Sequence, residues 1–191
     1  MRRVLLAIFI IIGIHSAWSQ SLLDRFESSL KALGTYRVEF EVGMDGYSTT
    51  GEYIVSGNNF YLIAEGIEYY VADGIKYEVN RGAKEIVVDT AASLGSDLLS
   101  NPAQGFSVLA RDFNAEQMVI DGCQALRLTT KQGGGDTILV VADSRGALPQ
   151  SITYSYGSAS MVIKMRSITS CDKLPLFDRS NYADFEVVDM R

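Results

Sequence analysis

Most of this chain alternates apolar and polar side chains with a period of two. Tyr36, Val38, Phe40, Val42 and Met44 form one row, interleaved with Arg37, Glu39, Glu41 and Gly43. Such a run places an apolar face and a polar face on one strand. Val38, Phe40 and Val42 are therefore expected inward, and Arg37, Glu39 and Glu41 outward. The pattern recurs from Thr49 to Ser56, Phe60 to Glu65, Ile67 to Ala72, Ile75 to Asn80 and Lys84 to Asp89. After an interruption it resumes from Glu116 to Ile120, Cys123 to Thr130, Thr137 to Ala142, Gln150 to Tyr156 and Ser160 to Thr169, followed by a short tail. Asp45-Gly46, Asp73-Gly74 and Asp121-Gly122 supply turns between these runs, and Asp-Gly between alternating segments is a strong hairpin signal.

Two segments break the alternation. Ser21 and Asp24 resemble a capping box, and Leu23, Phe26, Leu30 and Leu33 follow as one helical stripe before Gly34, the expected stop. Between Thr90 and Phe113, Asn101-Pro102 reads as an N-cap followed by proline at the first helical position. Phe106, Leu109 and Phe113 continue that helical pattern, with Leu98 and Leu99 just before it. An insertion of this length suits a flap over one end of a sheet. The expected fold is mainly β (α+β): a single antiparallel, incompletely closed barrel of about eleven strands, with an N-terminal helix and a helical lid.

The amino terminus changes where this fold is expected to work. Arg2 and Arg3 precede an apolar run from Val4 to Ile14, and Ala17 and Ser19 offer small residues for cleavage. This pattern predicts a signal peptide over residues 1–19 and one domain over residues 20–191. The run is short of the ~20 residues that span a bilayer. Export implies a periplasmic location.

Net charge is −6, and loss of Arg2 and Arg3 makes it more negative. An acidic chain of this kind disfavours nucleic acid as a partner. The one histidine, His15, falls in the predicted signal peptide, so the usual imidazole base of nucleophile pairs is lost with it. The 23 Asp and Glu fall mostly on polar strand phases and in turns, where charge is solvated. No catalytic residue, metal site or cofactor is expected. Gly133-Gly134-Gly135 has no Lys-Ser/Thr after it, which reads as a flexible turn instead of a phosphate loop. Cys123 and Cys171 are the two cysteines. Export favours a Cys123–Cys171 bridge over two buried free thiols.

The element order resembles the periplasmic outer-membrane lipoprotein carrier (LolA-like) family. The resemblance covers nearly all of residues 20–191. It rests on Thr50-Gly51-Glu52-Tyr53, Val71-Ala72-Asp73-Gly74, Phe106-Ser107-Val108-Leu109-Ala110-Arg111 and Phe185-Glu186-Val187-Val188-Asp189, taken in their order and spacing. It implies a monomeric carrier that takes lipoprotein acyl chains from an inner-membrane exporter to an outer-membrane acceptor. Many members latch the lid with an arginine before a proline in the turn entering the third strand. Here that turn reads Ser56-Gly57-Asn58-Asn59, with neither residue.

The expected walls of the acyl site are Val38, Phe40, Val42, Tyr53, Phe60, Leu62, Tyr69, Tyr77, Tyr154, Ile163 and Met165. The expected cover is Leu99, Phe106 and Leu109. A fully buried chain of about 16 carbons gains roughly 13 kcal/mol, so a carrier that releases its cargo needs a loose cavity under a movable cover. Two other readings stay open on the residues: a lipid- or lipoprotein-sensing regulatory domain, and a structural module that binds another protein.

Overall fold

Asp45-Gly46, Asp73-Gly74 and Asp121-Gly122 all turn through positive φ at both residues, with Asp73 at 52° and Gly74 at 81°. That geometry matches the twist of the flanking strands, so each pair closes a tight hairpin. A computed structural model describes residues 22–94, 101–131 and 135–191. The predicted signal peptide, Ser21 of the capping box, Leu98, Leu99, Gly133 and Gly134 lie outside the described residues.

Among the described residues, twelve strands form one sheet. In chain order they are β1 (Tyr36–Met44), β2 (Tyr47–Ser56), β3 (Asn59–Ala64), β4 (Ile67–Ala72), β5 (Ile75–Asn80), β6 (Glu85–Thr90), β7 (Phe113–Ile120), β8 (Cys123–Thr130), β9 (Thr137–Ala142), β10 (Pro149–Tyr156), β11 (Ala159–Ser170) and β12 (Glu186–Asp189). Their order across the sheet is β12-β6-β5-β4-β3-β2-β1-β11-β10-β9-β8-β7. The β1–β11 pairing joins two meanders into one open surface.

The fold class stands, with a correction at the carboxyl end. The expected tail contains a twelfth strand, and β12 runs parallel to β6 whereas the other neighbouring pairs are antiparallel. A parallel partner needs a long return connection, which residues 171–185 supply.

Helix α1 occupies residues 22–32, and Gly34 at φ +71° ends it. Helix α2 spans Gly105–Asp112. Its start differs from the expected one. Asn101-Pro102 opens a turn, with Gln104 N–H donating to the Asn101 carbonyl, and Gln104 is the N-cap.

Leu22, Leu23, Phe26 and Leu30 of α1 and Phe106 and Leu109 of α2 share one buried cluster with Phe60, Val55, Val38, Ile152, Leu126 and Leu128. Residues from β2–β3 and from β8–β10 thus meet the same two helices, which requires the sheet to curl around them. The result is an incompletely closed barrel plugged by α1 and α2. Phe26 and Phe106 join the helices, their ring centroids 5.8 Å apart. At the far end of α2, Lys131 Nζ donates to the Arg111 carbonyl at 2.6 Å, tying the helix to the end of β8.

The expected facing of β1 is observed. Val38 and Phe40 are buried while Glu39 is exposed. Outside, Arg166 pairs with Glu41, and Ser167 Oγ donates to Glu39 Oε2 at 2.9 Å. A bulge between Glu39 and Phe40 keeps Met165 and Ile168 on the inner face and turns Arg166 out.

The expected disulfide is absent: Cys123 and Cys171 are both free. Cys123 begins β8, whereas Cys171 follows β11, with β9 and β10 between those strands. Strands sit ~4.8 Å apart, so three spacings exceed the ~7 Å Cα separation that a bridge tolerates.

Candidate functional site: an apolar cavity on the concave face

Residues standing opposite one another across antiparallel strands share a face, and this register builds the site. Val38 faces Tyr53 across β1–β2, Tyr53 faces Leu62 across β2–β3, and Leu62 faces Tyr69 across β3–β4. One step along, Phe40 faces Gly51 and Gly51 faces Ala64. Gly51 is required there: a Cβ would lie 2.5 Å from Phe40 Cζ and 2.7 Å from the Ile63 carbonyl oxygen. The absent side chain lets the Phe40 ring lie across β2.

Beyond that ring the concave face is not filled. A cavity of about 490 Å³ remains, within the ~300–1,000 Å³ of small-ligand pockets. Phe40, Val42, Phe60, Leu62, Ala64, Tyr69, Leu94 and Met161 supply its apolar wall, and Met44, Tyr47, Thr49, Glu65, Lys76 and Glu78 complete the lining. Tyr47 and Met44 are largely exposed, 57% and 47%. Together with Glu65, whose carboxylate accepts from the Tyr47 hydroxyl, they give the site a wet mouth above an apolar floor.

The expected site residues therefore divide. Phe40, Val42, Phe60, Leu62 and Tyr69 line the cavity. Val38, Tyr53, Tyr154 and Ile163 are buried in the core around it, with Met165 packed against that core. Burial pushes the Tyr53 hydroxyl well above the usual phenol range and that of Tyr36 up to about 12, so both stay neutral. Leu109 of α2 packs on the same core. Phe106 lines a second cleft of about 710 Å³ between α1, α2 and the β2–β3 turn. At that cleft Thr35 Oγ1 donates to Ser56 Oγ at 3.0 Å. Leu99 lies outside the described residues.

Tyr77 requires correction. It sits on the convex face, stacked on Phe177 with centroids 4.0 Å apart and planes 6° from parallel. Register explains the error. The two-residue turn at Asp73-Gly74 pairs Ala72 with Ile75, so Tyr69 stands opposite Glu78, and Tyr70 opposite Tyr77. The apolar row of β5 thus belongs to the outer face. The same count through the turns points to Lys76 and Glu78 as lining residues, which apolar periodicity alone passes over.

On the convex face, residues 171–191 form a cover. Phe177, Tyr182 and Phe185 pack over Tyr70, Ile75, Tyr77, Val79, Ile86 and Val88. Glu68 lies beneath them, 2% exposed. Its Oε2 accepts from the Tyr70 hydroxyl at 2.5 Å, the Tyr182 hydroxyl at 3.0 Å and the Tyr61 hydroxyl at 3.4 Å, while Arg81 pairs with Oε1. Burial pushes the Glu68 carboxyl up. The hydrogen bonds from Tyr70, Arg81 and Tyr182, with the Arg81 charge, outweigh burial and hold it below its ordinary value.

Among the described residues, no group of three or more His, Cys, Asp or Glu is placed to hold a metal ion, and no helix is long and apolar enough to cross a membrane.

No protein-family model and no curated protein matches the sequence. Solved structures do match. An uncharacterized conserved protein from Thermus thermophilus aligns at TM-score 0.56 and 12% identity, over 89% of this chain and 98% of that one. MucB aligns at TM-score 0.52 and 15% identity, over 86% of this chain and 62% of that one. The lipoprotein LppX of Mycobacterium tuberculosis aligns at TM-score 0.50 and 11% identity, over 84% of this chain and 100% of that one. The chain shares the fold of these three proteins. The open sheet and its two helices follow the expected element order.

Proposed function

We propose that this protein is a periplasmic carrier that holds acyl chains of lipoproteins against the concave face and delivers them to the outer membrane. One observation carries the reading: a cavity of about 490 Å³ with a mostly apolar wall stays open on the concave face, beside the core that the two short helices share with the sheet. A chain in that cavity removes apolar surface from water at ~25 cal/mol per Å². The wet mouth leaves its linked head and peptide in solvent. α1 and α2 are short amphipathic segments, and their movement away from the sheet enlarges the space for further chains. An exporter in the inner membrane and an acceptor in the outer membrane are the partners this role requires, with the protein itself a monomer.

Native mass spectrometry of the protein isolated from its own cell envelope tests the reading. Copurifying diacyl or triacyl lipoprotein is the expected result. Copurifying free lipid alone favours a lipid sensor, and protein devoid of acyl species under gentle isolation overturns both.

A further inference from the structure

Along the concave face the apolar rows end in charge. Val71 on β4 stands opposite Lys76 on β5, and Lys76 stands opposite Asp89 on β6. Lys76 and Glu78 both line the cavity. The Lys76 side chain is 15% exposed, and its Nζ lies 3.7 Å from Glu78 Oε2 and 3.9 Å from Asp89 Oδ2. Both separations exceed hydrogen-bonding distance. The ammonium is thus compensated in charge at those separations, and it stays partly exposed. Its N–H groups can turn to an acceptor that enters the cavity.

The sign of the surrounding charge decides which acceptor. Among the described residues Lys76 is the one basic member of the lining, where Glu65 and Glu78 are acidic, and Asp89 stands beside it. An anionic headgroup would therefore enter a site whose lining carries more negative than positive charge, and like charges repel. An uncharged ester or amide carbonyl meets no such repulsion and still accepts a charge-assisted hydrogen bond.

Building on the acyl-binding reading above, we propose that this cavity selects acyl chains joined through uncharged ester or amide linkages. Lys76 donates to a linkage carbonyl, and the neighbouring carboxylates exclude chains that carry an anionic headgroup. Acylated glyceryl or amide-linked peptides belong to the accepted class, and anionic phospholipids to the rejected one.

The mature full chain is titrated with dipalmitoylglycerol and with dipalmitoylphosphatidylglycerol in the same uncharged detergent, and bound lipid is counted by native mass spectrometry. The two lipids share chains and ester linkages and differ in the phosphate headgroup. The expected preference is about tenfold or more for dipalmitoylglycerol, and Lys76→Met is expected to weaken that lipid about tenfold. Glu78→Gln is expected to raise phosphatidylglycerol binding severalfold and so narrow the preference between the two lipids. Equal binding of both lipids by the parent, or unchanged binding in Lys76→Met, overturns the selection while leaving acyl binding standing. Failure to bind either lipid overturns acyl binding and the selection with it. Should Lys76→Met not fold, the two-lipid comparison on the parent and on Glu78→Gln decides.

Discussion

On the concave side of the sheet, Phe40, Phe60 and Leu62 belong to the core shared with two short helices, and a cavity of about 490 Å³ beside that core stays open. On the convex side, Tyr70, Tyr77 and Val79 meet the C-terminal segment through stacked rings and a carboxylate with four partners. The two covers are built of different material. The inner one consists of amphipathic stripes whose contact is apolar and non-directional, so it tolerates a gap and a change of position. The outer one fixes ring planes and hydrogen-bond angles, and a buried polar network is costly when half satisfied. Under the proposed function, the contrast makes α1 and α2 the cover expected to move and residues 171–191 the one expected to stay fixed.

The largest expected effect breaks the outer cover. Tyr182 is 2% exposed, touches Phe177 and Phe185, and donates to Glu68. Tyr182→Ala is expected to cost about 3–5 kcal/mol, read from urea unfolding. Protein that remains folded should still load acyl chains, since Tyr182 does not line the cavity. Loss of loading at full foldedness would show that the two faces are coupled.

Next in size is a substitution on the inner side. Leu62 is 6% exposed and lines the cavity. Leu62→Glu places a carboxylate against the acyl path at a cost of several kcal/mol, on the order of ~2–7 unless it reaches the wet mouth. Expected are loss of lipoprotein uptake and a near-native circular dichroism spectrum. Uptake equal to the parent's would remove Leu62 from the site.

A smaller effect separates the faces by pH. The carboxyl of Glu68 is lowered in the folded state relative to an unfolded value of about 4.3. A group shifted in that direction stabilises the fold fully above the unfolded value, and the contribution is lost as pH falls through the folded one. Unfolding free energy is thus expected to drop below about pH 4. Glu68→Gln should make that drop shallower, while acyl loading at neutral pH stays the same. An unchanged acid slope in Glu68→Gln would locate the acid sensitivity elsewhere.

The smallest effect concerns the thiols. Cys123→Ser with Cys171→Ser is expected to shift stability by less than about 1 kcal/mol, because no loop is closed through them. Protein isolated from its own compartment should titrate as two free sulfhydryls. A Cys123–Cys171 disulfide found by peptide mapping would demand a different path for the end of β11.

Much of this molecule is local and was therefore readable along the chain. The Asp-Gly turns need only their own two residues to adopt positive φ. The span of β1, β4, β5, β8 and β9 follows from alternation between such turns, as does the inward facing of Val38 and Phe40. Cross-strand register is legible as well, since a two-residue turn sets the pairing of the strands it joins. Carried from Leu62 through Tyr69 to Glu78, that register already puts Tyr77 outside.

Tertiary structure decided what alternation cannot encode. A period of two separates a strand's residues into two rows, but it does not say what covers each row. On β5 the apolar row of Ile75, Tyr77 and Val79 is buried by Phe177, Tyr182 and Phe185, about a hundred positions later in the chain. That leaves Lys76 and Glu78 on the concave side, at the cavity. The C-terminal residues carry too short a pattern to announce a parallel strand. β12 forms because residues 171–185 pack across the convex face and bring Glu186 to the open edge of β6, where its N–H donates to the Lys84 carbonyl at 2.9 Å. Burial and register depend on partners distant in sequence, and their positions exist once the sheet has curled.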